Sequence, residues 1–589
     1  MRLDETNRRT LPIASDTGAT TSSEEPARSG GEAGREGGAA VTRPAPFGGT
    51  DLLLVAVLLL FSAVCVLPAL RHGGAAPTED AAMLLRYSQH LAQHQGITWN
   101  VGEHPVEGAT DFLYMAAIAG VARVLHRDAL TASRMLLFVC WIALPPVVFA
   151  CCRFTLRGSR WLAFALALYA VSSPGGAYLE STFGVPFMLL TVALAWWVGV
   201  ALIAGRGRVA WGMSLLFSLL ALLIGLTRPE GNILAVLLLA SIVFLRGLRE
   251  TRRLVLTFGA VFLVLGGSYF AWRMHYFGYA LPNPFYVKGG GHLHPQGLFN
   301  GAENVVKILW PALPLALLAL RNRYRTRLLL GLLIPVTGYT LIWVLLSNEN
   351  NHLFRFQMPL LPVALMFLPL LVEKLFEELP VSVAQISRRA RLGLASAAAV
   401  YTVAVCYCLY RTIFSIGPSN SGEEFAGHLS RYADRGYTMA VTEAGTFPYF
   451  SQWKAIDVLG LNDATIAHHG LDEAYLDRYQ PELILYHLYR LPSGGGRMHQ
   501  DSVEITQRDV HAMEVLHAYA VHHRYILAAA YGGEPCSLHF FYVRPDTPDT
   551  DAIVSYLRTT PYYFLDNGIL SADYRGGVRP ECGLPELGD

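Results

Sequence analysis

Charge is scarce in this sequence. Only 15% of the 589 residues are Asp, Glu, Lys or Arg, and 53% are hydrophobic, where soluble domains carry about 25% charged residues. The formal net charge is +1, so the basic footprint of a nucleic-acid-binding protein is missing. Lysine is nearly absent, with Lys288, Lys307, Lys374 and Lys454 the only four. The dominance of Arg over Lys reads as genomic base composition. No CxxC or zinc-type cysteine spacing occurs among the eight cysteines. Cys65, Cys140, Cys151, Cys152, Cys406 and Cys408 sit in apolar segments, where a small buried hydrophobe is the plain reading. Cys536 and Cys582 fall in a polar region, and a disulfide between them stays open. His90 and His94 lack the acid of an HExxH pair and read as solvated histidines on a helix face; His292 and His294 read as a loop pair. The glycine runs at 289–291 and 494–496 have no strand–Gly–helix setting and read as flexible loops. No internal repeat stands out.

Long apolar runs are abundant instead. Segments of about twenty residues mark a polytopic α-helical membrane protein. The first is 52–70. Others fall near 135–152, 161–172, 183–204, 210–226, 231–245, 254–272, 303–320, 327–346, 357–373 and 392–411, giving about eleven spans. Segment 111–126 is apolar but short, and Asp111, Arg123 and His126 interrupt it. If it does not span, the clusters at Arg153/Arg157/Arg160, Arg206/Arg208, Arg246/Arg249/Arg252/Arg253, Arg321/Arg323/Arg325/Arg327 and Arg388/Arg389/Arg391 share one side with the N-terminal tail. If it spans, all five flip away from the tail. The positive-inside rule selects the first arrangement, with 111–126 lying along the outer interface.

Three regions follow. Residues 1–50, nearly free of large apolar side chains, read as a disordered cytoplasmic tail and not as a signal peptide. Residues 51–411 form the transmembrane domain, with a first outer loop over 71–134. Residues 412–589 are polar, with short β-like runs at 438–442, 483–486 and 540–543 and a helical stretch at 502–524. They suffice for one extracytoplasmic soluble α/β domain.

The outward loops carry the reactive groups. Glu79 and Asp80 follow the first span within a few residues. Two acids in the first turn of a helix over 79–95, capped by Thr78, would complement its dipole. The functional reading makes one of them a general base for an attacking hydroxyl, with Asp80 preferred. Glu107 adds a third acid to the loop, and Glu180 sits at the mouth of a span. Thr227-Arg228-Pro229-Glu230-Gly231 is either a turn with an Arg–Glu pair or a phosphate grip. Asn283, Tyr286 and Lys288 lie in a Pro-rich outer loop, and Arg355 precedes a later span, where an acid, a donor phosphate or a lipid headgroup would pair with it.

The order of these pieces carries a resemblance. Trp99-Asn100-x-Gly102-Glu103-x-x-Val106-Glu107-Gly108-x-Thr110 follows the acid pair. Leu179-Glu180-Ser181, Thr227 to Gly231, Leu281-Pro282-Asn283-x-x-Tyr286-x-Lys288, Arg355-Phe356, Glu443-Ala444-Gly445 and Ile456-Asp457-x-x-Gly460-Leu461-Asn462-Asp463 come after it. Over about residues 50–470 the chain resembles the GT-C-type, polyprenyl-phosphate-sugar-dependent membrane glycosyltransferases. Among these it is most similar to the actinobacterial terminal β-(1→2) arabinofuranosyltransferases of arabinogalactan and lipoarabinomannan. It departs from their pattern at Glu79, where Asp is usual, at Ala109, where an aromatic residue is usual, and in its Gly- and His-rich loop over 273–302. The resemblance implies an inverting transferase at the outer face of the plasma membrane. It also implies a decaprenyl-phospho-arabinofuranose donor and a cell-wall arabinan acceptor, with the base in the acid pair. A flippase for a lipid-linked sugar, a mannose-type GT-C transferase and a glycan-binding scaffold are the alternatives. No cofactor beyond the lipid-linked donor follows, and a metal requirement is left open. Trp453 and the many tyrosines of 412–589 are expected to stack on acceptor sugar.

Overall fold

The structure is a computed structural model. It describes residues 47–71, 77–172, 175–288, 293–310, 323–346, 348, 351–378, 421–489, 507–534, 537–559, 564–566 and 569–571. The chain from Ala45 onward forms one compact unit.

The helices, in chain order, are α1 (Gly49–Arg71), α2 (Glu79–Ala92), α3 (Phe112–Leu125), α4 (Ala129–Ala150), α5 (Arg160–Val171), α6 (Gly175–Ser181), α7 (Val185–Ala204), α8 (Trp211–Thr227), α9 (Gly231–Arg246), α10 (Leu248–Val261), α11 (Gly267–Phe277), α12 (Asn283–Val287), α13 (Pro295–Leu309), α14 (Arg323–Leu341) and α15 (Leu360–Glu378). Ten of the eleven expected segments coincide with helices; of the segment near 303–320, residues 311–320 lie outside the described residues, as does all of 392–411. Among the described residues, five helices are long and apolar enough to cross a membrane: those within 49–66, 129–155, 185–204, 248–277 and 326–344. Helix α7 sits at the centre, touching α4, α8, α9 and α15. The continuous 248–277 helix has only 17% of its most apolar stretch buried, the signature of a lipid-facing flank. Helix α3 has 14 residues, about 21 Å of rise, too short for a hydrocarbon core of about 30 Å. It packs on α2, α4 and α8.

The basic clusters gather at one end of the bundle. Arg153 pairs with Asp51 at the start of α1, at 3.3 Å. Arg246 donates to the carbonyls of Leu202 and Gly207, Arg327 donates to that of Phe244 at 3.1 Å, and Trp197 Nε1 donates to Thr155 at 2.7 Å. The outward loops of the topology argument collect at the opposite end.

The C-terminal domain is a mixed sheet in the order β2-β1-β3-β5-β4, built from β1 (Thr438–Val441), β2 (Lys454–Asp457), β3 (Leu483–Tyr489), β4 (Ile526–Glu534) and β5 (Ser537–Val543). β1 runs parallel to β2 and β3; β5 runs antiparallel to β3 and β4. Period-2 alternation gives the sheet two apolar faces. Met439, Val441, Leu485, Phe541 and Val543 join the same core as the membrane helices. Ala440, Ile456, Ile484, Tyr486 and Phe540 pack on the helices over 464–479 and 507–522. The three strand runs expected from the sequence are present, and the helix expected at 502–524 is described from Gln507 to His522.

Candidate active site

Helix α2 is the link between the two parts. It begins at Glu79, as its sequence dictates, but Thr78 does not cap it through its side chain; the hydroxyl donates to the Ser181 carbonyl instead, at 3.1 Å. Arg86 is buried on this helix and satisfied by carbonyls: its Nε donates to Trp99 at 2.8 Å and Nη2 to Trp453 at 2.8 Å. Trp99 Nε1 donates to Ala455 at 2.8 Å, and Asn100 accepts from the Ala455 amide at 3.0 Å. Tyr87 donates to Asn462 at 3.1 Å. The Trp99-Asn100 and Asp457-to-Asn462 motifs therefore meet: one side of the seam is the outer loop, the other is the sheet.

Glu79 belongs to this seam. Its carboxylate accepts from the amides of Gly445 at 2.6 Å and Thr446 at 3.0 Å. Burial, and then the nearby Glu443 charge, push its carboxyl up to about 7 against those two donors. Gly445 is required here, because a Cβ would lie 2.1 Å from the Glu79 carbonyl oxygen. Glu79 does not line the cleft described next.

Asp80, one residue on, faces the other way. It lines a cleft of about 410 Å³ at the end of the bundle opposite the basic clusters, together with Asp111, Arg228, Glu230, Lys288 and Arg355. Arg355 Nη2 donates to Asp80 at 2.6 Å. Burial raises the Asp80 pKa, but the Arg355 and Lys288 charges outweigh it and hold the carboxyl well below the usual range. The Arg355 guanidinium lies 4.1 Å from the Phe183 ring and 5.0 Å from that of Phe356; Arg228 approaches Phe356 from 5.1 Å. Two cations thus flank one aromatic ring. Among the described residues the buried Arg355 Nε has no acceptor. Leu353 and Phe354 both take positive φ, 57° and 60°, a costly conformation for bulky residues that places Arg355.

Arg228 is set by Pro229, which forces the preceding residue out of the helical region. Its φ and ψ are −147° and 141°. It pairs with Glu230 at 2.5 Å and with Asp111 at 3.3 Å. The turn pairing and the cleft position are therefore both present. Gly231 closes the turn, since a Cβ there would meet the Ile224 carbonyl oxygen at 2.3 Å. Burial raises the Asp111 carboxyl, Arg228 opposes this, and the net direction is upward. Asp111 was visible in the sequence only as an interruption of an apolar segment; its place after Thr110, closing the acidic loop, is the signal that would have found it.

The remaining expected residues lie behind the cleft. Glu107 pairs with Arg273, whose Nε donates at 2.6 Å, and Arg273 carried no signal outside its helix. Asn283 is buried, donates its backbone amide to the Glu107 carbonyl at 3.1 Å, and starts α12, the helix that Lys288 caps at its C-terminal end. The Tyr286 ring packs on His468 at 4.6 Å. Glu180 is half-buried on α6 and does not line the cleft. His294 lines it; residue 292 lies outside the described residues.

Two sequence expectations are corrected. His90 is not solvated: it is buried, with Nδ1 at 2.8 Å from the Thr98 carbonyl, and only His94 is exposed. Trp453 does not offer a sugar platform. It is 1% exposed, and its Nε1 donates to the Leu429 carbonyl at 3.0 Å. Cys65, Cys140, Cys151 and Cys152 are buried thiols; Cys406, Cys408, Cys536 and Cys582 lie outside the described residues.

A family model described as a domain of unknown function, DUF8728, matches residues 417–546. No curated protein matches the chain. Among solved structures, the chain is similar to ArnT from Cupriavidus metallidurans in the apo state. The TM-score is 0.53 at 13% identity, covering 84% of this chain and 98% of ArnT. ArnT bound to undecaprenyl phosphate gives 0.48 at 13% identity, over 74% and 93% of the two chains. The mycobacterial arabinofuranosyltransferase AftD gives 0.47 at 14% identity, over 88% of this chain and 41% of AftD. The fold is that of the GT-C membrane proteins, with a C-terminal α/β domain.

Proposed function

We propose that this chain is an inverting glycosyltransferase. It moves arabinofuranose from decaprenyl phosphate to an arabinan end of the cell envelope, on the outer face of the plasma membrane. The observation that carries the reading is the cleft itself: the Asp80 carboxylate held by Arg355, with Arg228 and Lys288 beside it, against an apolar wall that includes Phe183, Phe285, Trp343 and Phe356. Cations and apolar surface together suit a lipid phosphate. ArnT, whose apo form shares the fold, has been captured with such a lipid. The pentose and the arabinan acceptor come from the sequence resemblance.

The reaction is a single displacement. The acceptor hydroxyl oxygen attacks the anomeric carbon from the face opposite the phosphate. The bond from that carbon to the phosphate oxygen breaks, and its electrons leave with the polyprenyl phosphate. The hydroxyl proton passes to Asp80. Arg355, Arg228 and Lys288 stabilise the charge on the departing phosphate. The phosphate also competes with Asp80 for Arg355 and satisfies its Nε; Asp80 becomes a stronger base once the donor is bound. Glu107, Asn283 and Tyr286 hold α12 and thus Lys288, Glu230 and Asp111 hold Arg228, and Glu79 holds α2 against the C-terminal domain.

The test is purified protein with synthetic decaprenyl-phospho-arabinose and an arabinoside acceptor. Transfer by wild type and its loss in Asp80→Ala are expected. No transfer by wild type, or undiminished transfer by Asp80→Ala, overturns the proposal.

A further inference from the structure

We infer that Glu443, His487 and His539 form a binding site for a divalent transition metal of the zinc type, in the C-terminal domain and separate from the cleft. Three strands supply it. His487 on β3 and His539 on β5 are directly paired across the ladder, which puts their side chains on one face. Glu443 follows β1, where the Thr442 amide donates to Leu485 at 3.1 Å and its hydroxyl accepts from the His487 amide at 2.9 Å. The ligand atoms of all three lie within 4.8 Å of one another.

The distances suit an ion shared by the three side chains. His487 Nδ1 is 3.4 Å and His539 Nε2 is 3.5 Å from the same oxygen, Glu443 Oε1. Both exceed the usual range of about 2.7–3.2 Å for N–H···O bonds. Both match the edge of a ligand tetrahedron, about 3.4 Å when metal–ligand bonds are about 2.1 Å. Burial points the same way. The two imidazoles are 3% and 1% exposed, and their rings stack at 3.9 Å. Glu443 also shares its surroundings with Glu79. Among the described residues neither acid forms an ion pair with a Lys or Arg, and the two histidines are the partners of Glu443. Two imidazoles and one carboxylate, without thiolate, suit zinc and its neighbours better than calcium or copper(I). The ion would tie β1, β3 and β5 together two residues before the amides that hold Glu79, and so stiffen the seam between the domains.

Full-length protein without a polyhistidine tag, stripped with chelator in detergent, is titrated with cobalt(II) and then with zinc. The expected result is about one cobalt per chain, a visible absorption band of tetrahedral type, and its displacement by zinc. Glu443→Gln and His539→Ala should lower cobalt affinity at least 10-fold. X-ray absorption at the zinc edge of wild type, which needs no variant to fold, should show two imidazoles, oxygen and no sulfur. Binding below a tenth of an equivalent in wild type, unchanged binding in both variants, or sulfur in the zinc shell overturns the site.

Discussion

At the scale of single residues, the decisive contrast is between Glu79 and Asp80. Neighbours in sequence, they face different structures: one accepts two amides of the C-terminal domain, the other an arginine across the cleft. Asp80→Asn keeps the shape but removes the proton acceptor, and should lower the transfer rate by about 10²–10⁴-fold, with a lower donor KM because no carboxylate then competes with the phosphate for Arg355. Asp80 has a folded pKa below its unfolded value near 3.8. Its ionised, paired form therefore contributes stability above pH 3.8 or so, and that contribution is lost as pH falls through the lower folded value. Free enzyme should then show no acidic limb from Asp80 in a rate profile between pH 5 and 8. Arg355→Gln removes the largest lowering influence and leaves burial in place. An acidic limb should appear in that range in kcat/KM, with a higher donor KM.

At the scale of elements, short contacts place the helices around the cleft. In Gly445→Ala the new methyl meets the Glu79 backbone at 2.1 Å, so α2 and the C-terminal domain must separate. Overpacking of this kind costs about 1–3 kcal/mol. Thermal melts should show the loss, and proteolysis should reach the seam sooner. Arg273 and Glu107, both close to a tenth exposed, hold the loop behind α12. Glu107→Gln strands the Arg273 charge, and breaking a buried pair in this way costs about 3–5 kcal/mol. A lower melting midpoint and a raised donor KM, through a displaced Lys288, are the expected readouts.

At the scale of the whole molecule, the bundle has a basic end and a cleft end. Cysteines introduced at Gly207 and Leu281 should label from opposite sides of a sealed membrane, with Gly207 on the cytoplasmic side. Labelling of both from one side would refute the topology. The helical segments were legible in sequence because apolar length is a local property, and so was the gathering of the Arg clusters at one end of the bundle. Asp80, Arg228, Lys288 and Arg355 were legible because each stands at a helix end or a Pro-broken turn, where a charged group has few uses besides pairing. Asp111 and Arg273 were not, since one precedes an apolar helix, the other lies within one, and each acquires meaning only from its partner. His487 and His539 are 52 residues apart in the chain, and nothing local announces that antiparallel pairing puts them side by side.

The sequence by itself determined the membrane class, the helix order, the C-terminal α/β domain and the loops that carry the acids. These depend on hydrophobic length, charge count and turn residues, which act over a few positions. Only the tertiary structure decided that Glu79 anchors while Asp80 lines the cleft, that Trp453 is core, and that a His₂Glu group exists at all. Those outcomes depend on which distant segment fills the space beside a side chain: a single residue step, about 100° around the helix, separates a carboxylate that meets backbone amides from one that meets a guanidinium.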